Sequence, residues 1–282
     1  MKTRDMIYTT IYNLKIPLYS NIINFGLDSF EKTAKRIDLI ENDEKEWEKI
    51  NILINDLNYL QFLKRITNTS EEEIVIYLDE FYKDTKFRKK NSEKLKVMEN
   101  DKSIVPGDLR FHSISLYVIL RAIKPEIVVE TGVAFGKSTS LMLLALEHNK
   151  KGKLYSVDLP NKENNIMDDG AKTSTGIYET GFLVPDYLKK NWILKIGDSL
   201  KCLPEITKKV KHIDVFLHDS LHTYDHVSSE LKIVYPKTKK ESVILCDKID
   251  KDSGFAFNDF LNKNKLVGFA YRDFGGVYIH EK

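Results

Sequence analysis

Hydrophobic and polar positions change their rhythm near residue 105, and the change divides the chain in two. From Met1 to about Ile40 the pattern is weak, with apolar clusters such as Ile22, Ile23 and Phe25 around Gly26, which reads as a short helical or irregular cap. Between Asp43 and Ile66, residues Trp47, Ile50, Leu53, Ile54, Leu57, Leu60 and Leu63 recur at helical spacing and define one apolar face. A second helix starts after Thr69 or Ser70, where Glu72 and Glu73 complete a capping box, and turns Ile74, Tyr77, Leu78 and Phe81 inward. Helices of this kind suit core packing or a subunit contact, so a homo-oligomer joined through them is one expectation.

Residues 83 to 102 are dense in charge, including Lys86, Arg88, Lys89 and Lys90. Their mixed signs fit a solvated helix end or linker better than an RNA contact. Past Pro106 and Gly107, Ile114 to Ile123 reads as an amphipathic helix and Pro125 punctuates it. Strands and helices then alternate, which predicts a parallel sheet wound on both faces. The strands are Ile127 to Val129, Lys153 to Val157, Trp192 to Ile196, Ile213 to Leu217 and Ser242 to Cys246. Helical stretches fall at Lys137 to Leu144, Pro185 to Lys190, Leu200 to Lys209 and Tyr224 to Ile233. At the end, Leu266 to Arg272 and Val277 to His280 read as a hairpin around Gly275 and Gly276, and so add one antiparallel strand. The expected division is a helical extension over 1–104 and an α/β domain over 105–282.

Composition narrows the class. With 282 residues and 42% hydrophobic content, the chain can bury one sizeable core and carry an appended segment. The net charge is +2, with basic and acidic residues interleaved, which argues against a nucleic-acid or anionic-membrane partner. Cys202 and Cys246 are too few for a disulfide framework and sit in apolar or amphipathic runs typical of reduced core thiols. Neither an 18-residue apolar run nor a signal-peptide layout is visible, so the expectation is a soluble cytoplasmic protein.

The candidate chemistry begins at Glu126 to Leu144, a strand, a glycine turn and a helix. Glycines let the backbone approach a ligand, and a helix N-terminus offers free N–H groups. Gly136, Lys137 and Ser138 look like the end of a phosphate-binding P-loop, but the opening glycine would fall on Thr131. A dinucleotide fingerprint needs closer glycines than Gly132 and Gly136. The acidic-x-Gly-x-x-x-Gly run from Glu130 to Gly136 resembles the glycine loop of class I S-adenosylmethionine (SAM) methyltransferases.

Acidic residues recur where such a sheet binds ligands, outside the carboxyl ends of its strands. Glu130, Asp158, Asp198, Asp219 and Asp247 each stand at or just after a successive strand end. One such residue is ordinarily a cap or turn former, but five in succession point to a site. Asp158 is placed to accept two ribose hydroxyls. Asp198 and Ser199 could read an adenine amino group, and Asp198 could equally cap the next helix. His218, His222 and His226 are four apart, yet a zinc site needs them on one continuous helix and His218 ends a strand. His222 reads either as a general base or substrate contact, or as a histidine bonded to local backbone.

The run Val215 to Tyr224, with His218, Asp219, Ser220 and His222 inside it, resembles the signature of the class I SAM-dependent methyltransferases called methyltransferase family 24. Val184-Pro185 to Asp198-Ser199 and Asp247 to Phe257 are similar to the same family, so the resemblance spans roughly 105 to 280. It implies a Rossmann-like α/β fold with a mostly parallel seven-stranded sheet, an antiparallel C-terminal hairpin and an N-terminal helical extension. It also implies SAM as cofactor, held by Glu130, Gly132, Gly136, Ser138, Asp158, Asp198 and Ser199. The reaction implied is O-methylation of a small-molecule hydroxyl such as a sugar or glycosylated metabolite, with Asp219 and His222 facing the acceptor. In metal-dependent relatives an acid after strand four and an acidic pair after strand five hold Mg²⁺, which here would be Asp219 and Asp247. The pair's second member is Lys248, which removes a ligand and adds a positive charge; Asp250 or Asp252 could compensate, or His222 could suffice. The polar insertion 161 to 184 is a candidate lid or a plain surface loop. Two alternatives stand beside the enzyme: a P-loop-like ATP-binding protein, and a catalytically silent SAM-binding or interaction protein.

Overall fold

A computed structural model of the chain describes residues 57–99, 111–160 and 178–282. The cap expected before Ile40, the first half of the helix expected from Asp43, the boundary drawn at 104 and most of the 161–184 insertion lie outside these residues. In order, the described elements begin with α1 (Leu57–Thr67), α2 (Glu71–Lys83), α3 (Thr85–Glu99) and α4 (Phe111–Ile123). There follow β1 (Ile127–Thr131), α5 (Lys137–Asn149), β2 (Lys153–Asp158), a 3₁₀ turn over Asp186–Asn191, β3 (Trp192–Ile196) and α6 (Ser199–Lys209). The chain closes with β4 (Ile213–His218), α7 (Tyr224–Val234), β5 (Thr238–Cys246), α8 (Asp252–Lys263), β6 (Gly268–Tyr271) and β7 (Phe274–Tyr278).

The seven strands form one sheet in the order β3-β2-β1-β4-β5-β7-β6. β1 to β5 pair in parallel, and β7 runs antiparallel between β5 and β6. The central strands read as continuous apolar runs because both faces are covered. Val128, Val215, Leu217, Val243 and Leu245 face the layer that contains α1, α2, α4 and α5. Their neighbours Val129, Phe216, Ile244 and Cys246 face the layer of α6, α7 and α8. Cys202 and Cys246 are free, buried thiols, and burial pushes both upward in pKa.

The helices that precede β1 are built into this core. Tyr59 and Phe62 of α1 pack tilted or edge-on against Tyr271 and Phe274 of the terminal hairpin, with ring centroids 5.2 to 6.3 Å apart. Helix α4 lies between these helices and α5, so every residue from Ile114 to Leu120 is buried and the helix is covered on all sides rather than amphipathic. A polar chain ties the same helices together: Arg121 donates to Glu80 at 2.8 Å, while His148 meets Tyr117 Oη at 2.6 Å and Asp84 at 2.9 Å. Of the capping box read around Thr69 and Ser70, Ser70 Oγ accepts from the Glu73 amide at 3.2 Å, while the Glu73 carboxylate accepts from the Thr69 hydroxyl. The charged segment after residue 83 is helix α3, capped by Asp84 through the Phe87 amide at 2.7 Å.

The terminal hairpin differs from the expected one. Its turn falls at Arg272 and Asp273, between the paired Tyr271 and Phe274, while Gly275 and Gly276 lie inside β7. A Cβ on Gly276 would stand 2.7 Å from a Leu245 methyl and 3.0 Å from the Ile66 δ-methyl, so this glycine lets α1 approach the sheet. Glycines there mark close packing, not a turn.

Candidate active site

The site grows out of the carboxyl edge of the sheet. Beyond the strands, the turns stay stitched together by backbone bonds: Gly197 N–H to Asp158 O at 2.7 Å, Gly132 N–H to Val157 O at 2.9 Å, Asp219 N–H to Thr131 O at 2.9 Å and Asp247 N–H to His218 O at 3.0 Å. The register therefore sets the turns after β3, β2, β1, β4 and β5 side by side, about 5 Å per step. Asp158, Asp219 and Asp247 fall at or just past this edge.

Glu130 is placed differently. β1 runs one residue beyond it, to Thr131, so its neighbours in register are Ser156 and Leu217 inside the sheet. Its carboxyl is fully buried and accepts from Ser156 Oγ at 2.6 Å and from Thr139 Oγ1 at 2.9 and 3.0 Å. Burial outweighs those bonds and pushes its pKa up to about 8. It braces the glycine turn from beneath, linking β1, β2 and the first turns of α5.

The glycine turn is tight. Gly132 has φ +86, and a Cβ there would lie 1.9 Å from the Asp219 carbonyl oxygen; Gly136 has φ +83 and packs on Gly181 and Val184. Its amides are already used, Gly132 N–H by Val157 O, Ala134 N–H by Asp158 Oδ2 at 2.8 Å and Gly136 N–H by Val133 O at 2.8 Å. A P-loop needs such amides free to cradle phosphate, and this turn leaves none of the three for that. Ser138 sits half-buried in the first turn of α5. Asp158 also accepts from the Leu159 amide at 2.8 Å, and burial raises its pKa. Asp198 caps α6 through the Leu200 amide at 2.9 Å. Ser199 turns inward and donates to Glu230.

Past β4 the side chains separate into two groups. His218 and His226 turn to Glu230 of α7, with Nδ1 of His218 at 2.7 Å and Nε2 of His226 at 3.0 Å from its carboxylate. Thr131 and Ser220 donate to the same carboxylate at 2.8 and 2.9 Å. Burial opposes this charge, but the bonds from His218 and His226 and the Ser199 hydroxyl hold the Glu230 carboxyl well below the usual range. Nothing in the sequence pattern marks Glu230; the one local signal is its i+4 spacing from His226. His222 instead joins Asp219 and Asp247, and these three offer ligand atoms all within 4.8 Å of one another. Asp247 is fully buried and His222 nearly so. Burial, then the charges of His218, Lys248 and Lys251 against that of Asp247, push the His222 pKa down to about 3, so its imidazole is neutral at ordinary pH. Two carboxylates and a neutral imidazole fit a divalent cation in donor type and spacing. Asp250 and Asp252 are not in this cluster, and among the described residues no three-histidine set has metal spacing. Leu221, Tyr224 and Phe255 lie exposed around it in sequence, and Tyr224 Oη donates to Asp259 of α8 at 2.8 Å.

A seven-stranded sheet of this order, with a glycine turn after β1 and acids along its carboxyl edge, is the class I methyltransferase fold. Residues 129–249 match the model of methyltransferase family 24, described as a methyltransferase domain. The match contains every candidate site residue from Glu130 to Asp247. Among curated proteins none matches the chain. A solved structure from Klebsiella pneumoniae, provisionally described as an O-methyltransferase, is 14% identical over 70% of this chain and 90% of its own, with a TM-score of 0.50. An O-methyltransferase from Bacillus cereus in complex with SAH is 12% identical over 70% and 91%, with a TM-score of 0.49. TomG from Streptomyces achromogenes, an O-methyltransferase of tomaymycin synthesis in complex with SAM, is 12% identical over 68% and 89%, also at 0.49. No helix among the described residues is long and apolar enough to cross a membrane.

Proposed function

We propose that the protein transfers a methyl group from SAM to a hydroxyl of a small molecule, with sugars and glycosylated metabolites first among candidate acceptors. The observation that carries this reading is the Asp219–His222–Asp247 cluster, one strand away from the Gly132 turn. In this reading a group able to receive a hydroxyl proton stands beside the turn that would hold a cofactor.

When bound, SAM supplies an electrophilic methyl group. Asp158 accepts the Ala134 amide on one oxygen and the Leu159 amide on the other, with the Val133 amide also bonded to the carboxylate, and its remaining lone pairs would face the ribose hydroxyls. Gly132 and Gly136 keep the turn free of side chains, and Asp198 lines the neighbouring strand end. Glu130 acts from beneath, by fixing Thr139 and Ser156. His222, neutral and beside Asp247, accepts the hydrogen bond of the acceptor hydroxyl, and the Asp247 charge partly offsets the burial that disfavours the imidazolium as the proton leaves. Methyl transfer is an in-line displacement, so the remaining task is alignment of the oxygen. Asp219, Asp247 and His222 would also be the residues to hold Mg²⁺, whose charge would favour the alkoxide form of the acceptor.

The test is calorimetric titration with S-adenosylhomocysteine, alongside ATP with Mg²⁺, on the native chain and on Asp158→Ala. Binding of the first ligand only, weakened at least tenfold in the variant, followed by methyl incorporation into a hydroxylated acceptor panel, is the expected result. Binding of ATP alone would overturn the reading.

A further inference from the structure

Helix α3 lies outside the matched methyltransferase segment, yet it holds the peptide beside the glycine turn: Leu95 packs against Tyr178 and Leu183, and Lys94 makes the polar contact. Lys94, near its end, sends Nζ to the carbonyl oxygens of Phe182 at 2.8 Å and Val184 at 2.7 Å. The ammonium stands 5.4 Å from the Phe182 ring and 3.5 Å from the exposed Asp186 carboxylate. Its side chain is only 22% exposed, so these are mostly shielded charge–dipole bonds, stronger than their surface counterparts.

The peptide that Lys94 holds is the one that grips the glycine turn. Gly181 N–H donates to Ala134 O and Leu183 N–H to Phe135 O, each at 2.8 Å. Tyr178 packs on Phe135 and Phe182, with centroids 6.4 and 4.6 Å away. The fit is close on both sides: a Cβ on Gly136 would meet the Gly181 Cα at 2.7 Å, and a Cβ on Gly181 would meet the Trp192 indole at 2.2 Å. Trp192 in turn donates from Nε1 to Ser156 Oγ at 2.9 Å, and Ser156 donates to Glu130. The turn is therefore clamped from below by Glu130 and from the side by residues 181–184, and Lys94 secures that side clamp.

We infer that Lys94 is a positioning residue for cofactor binding, and that α3 is part of the cofactor site rather than an appended element. Lys94 touches neither cofactor nor acceptor; it fixes the 181–184 peptide, which fixes Ala134 and Phe135. This rests on the proposal that the Gly132 to Gly136 turn binds SAM.

Three variants test it, each made in a Trp47→Phe background so that Trp192 is the sole tryptophan: Lys94→Met, Lys94→Arg and, as a control on the same helix, Lys90→Met. Among the described residues, Lys90 pairs with the neighbouring Glu93 at 2.8 Å on the surface. The readouts are S-adenosylhomocysteine affinity, Trp192 emission without ligand, and the unliganded Tm. Lys94→Met should weaken binding about tenfold and shift Trp192 emission, with Tm nearly unchanged; Lys94→Arg should recover most of the affinity, and Lys90→Met should behave as the parent. Parent-like affinity and emission in Lys94→Met, or an equal loss in Lys90→Met, would overturn the inference. If the parent itself fails to bind, the cofactor reading falls, while a Trp192 shift confined to Lys94→Met still supports the clamp.

Discussion

Nδ1 of His218 lies 2.7 Å from Oε2 of Glu230, and both side chains are completely buried. An ionised carboxylate is an acceptor only, so this contact is assigned to a proton on Nδ1 of His218. The pairing fixes the end of β4, where Asp219 begins the candidate acceptor site. The same carboxylate takes Thr131 from the end of β1 and Ser199 from the start of α6. One buried charge thus ties the end of β1 to the start of α6 and the end of β4, at the crevice between β1 and β4 where the strand order reverses.

Glu230→Gln is expected to cost about 3 kcal/mol, because it leaves buried donors without their anionic acceptor. The pH dependence follows from the sign of the shift. Since the folded pKa lies below the ordinary 4.5, the contribution is complete above about pH 4.5 and is lost as the pH falls below it. Urea melts from pH 7 to pH 3 should show a smaller acid loss in Glu230→Gln than in the parent. Equal slopes would mean that Glu230 is not ionised in the fold.

Glu130 works in the other direction. Its pKa rises from the ordinary 4.5 to about 8, so between those values the folded state binds more protons than the unfolded one. Stability should therefore fall as the pH rises through that window, by up to about 1.4 kcal/mol per unit. Glu130→Gln, which keeps the shape and removes the ionisation, should flatten the curve and leave the variant relatively more stable at pH 8 than at pH 5. Chemical denaturation at those two pH values checks it.

These two residues also show where the chain could be read from its sequence. The β-branched runs and the acids that follow them placed Asp158, Asp219 and Asp247 correctly at the carboxyl edge, since strand ends and turn residues are local signals. Glu130 was placed one residue too far out, because a strand boundary depends on pairing partners that a single run does not contain. Gly275 and Gly276 looked like a turn, since the reason for them, Ile66 of α1 and Leu245 of β5, lies far away in sequence. Glu230 gave only its i+4 spacing from His226, and Lys94 gave no signal. Their partners stand up to 99 residues away, and only the folded sheet brings them together.

Gly132→Ala is expected to be severe. The backbone there has φ +86, and the new methyl would fall 1.9 Å from the Asp219 carbonyl oxygen. Either the turn after β1 or the turn after β4 must move, and both carry candidate site residues. A loss of about 3 kcal/mol or more, seen as a Tm drop, is expected from strain plus displacement. A variant with native Tm and native S-adenosylhomocysteine affinity would show that the two turns are not in contact.

The last prediction concerns Asp247, His222 and a cation. Asp247 is fully buried beside His222 and within 4.8 Å of Asp219, an arrangement that concentrates negative charge in a poorly solvated place. A divalent ion would relieve it, and the neutral His222 imidazole adds a nitrogen donor without adding charge. Lys248 beside it supplies one positive charge already, so binding should be weaker than in a site with a paired acid. Titration with Mn²⁺, followed by paramagnetic line broadening or calorimetry, should detect one ion in the native chain and none in Asp247→Asn. Lys248→Asp should tighten that binding about tenfold, since it removes a repelling charge and adds an oxygen ligand. His222→Asn separates the two roles of the imidazole. A fall in kcat of about a hundredfold with metal affinity kept would assign His222 to the hydroxyl proton, and a parallel loss of metal would assign it to the ion.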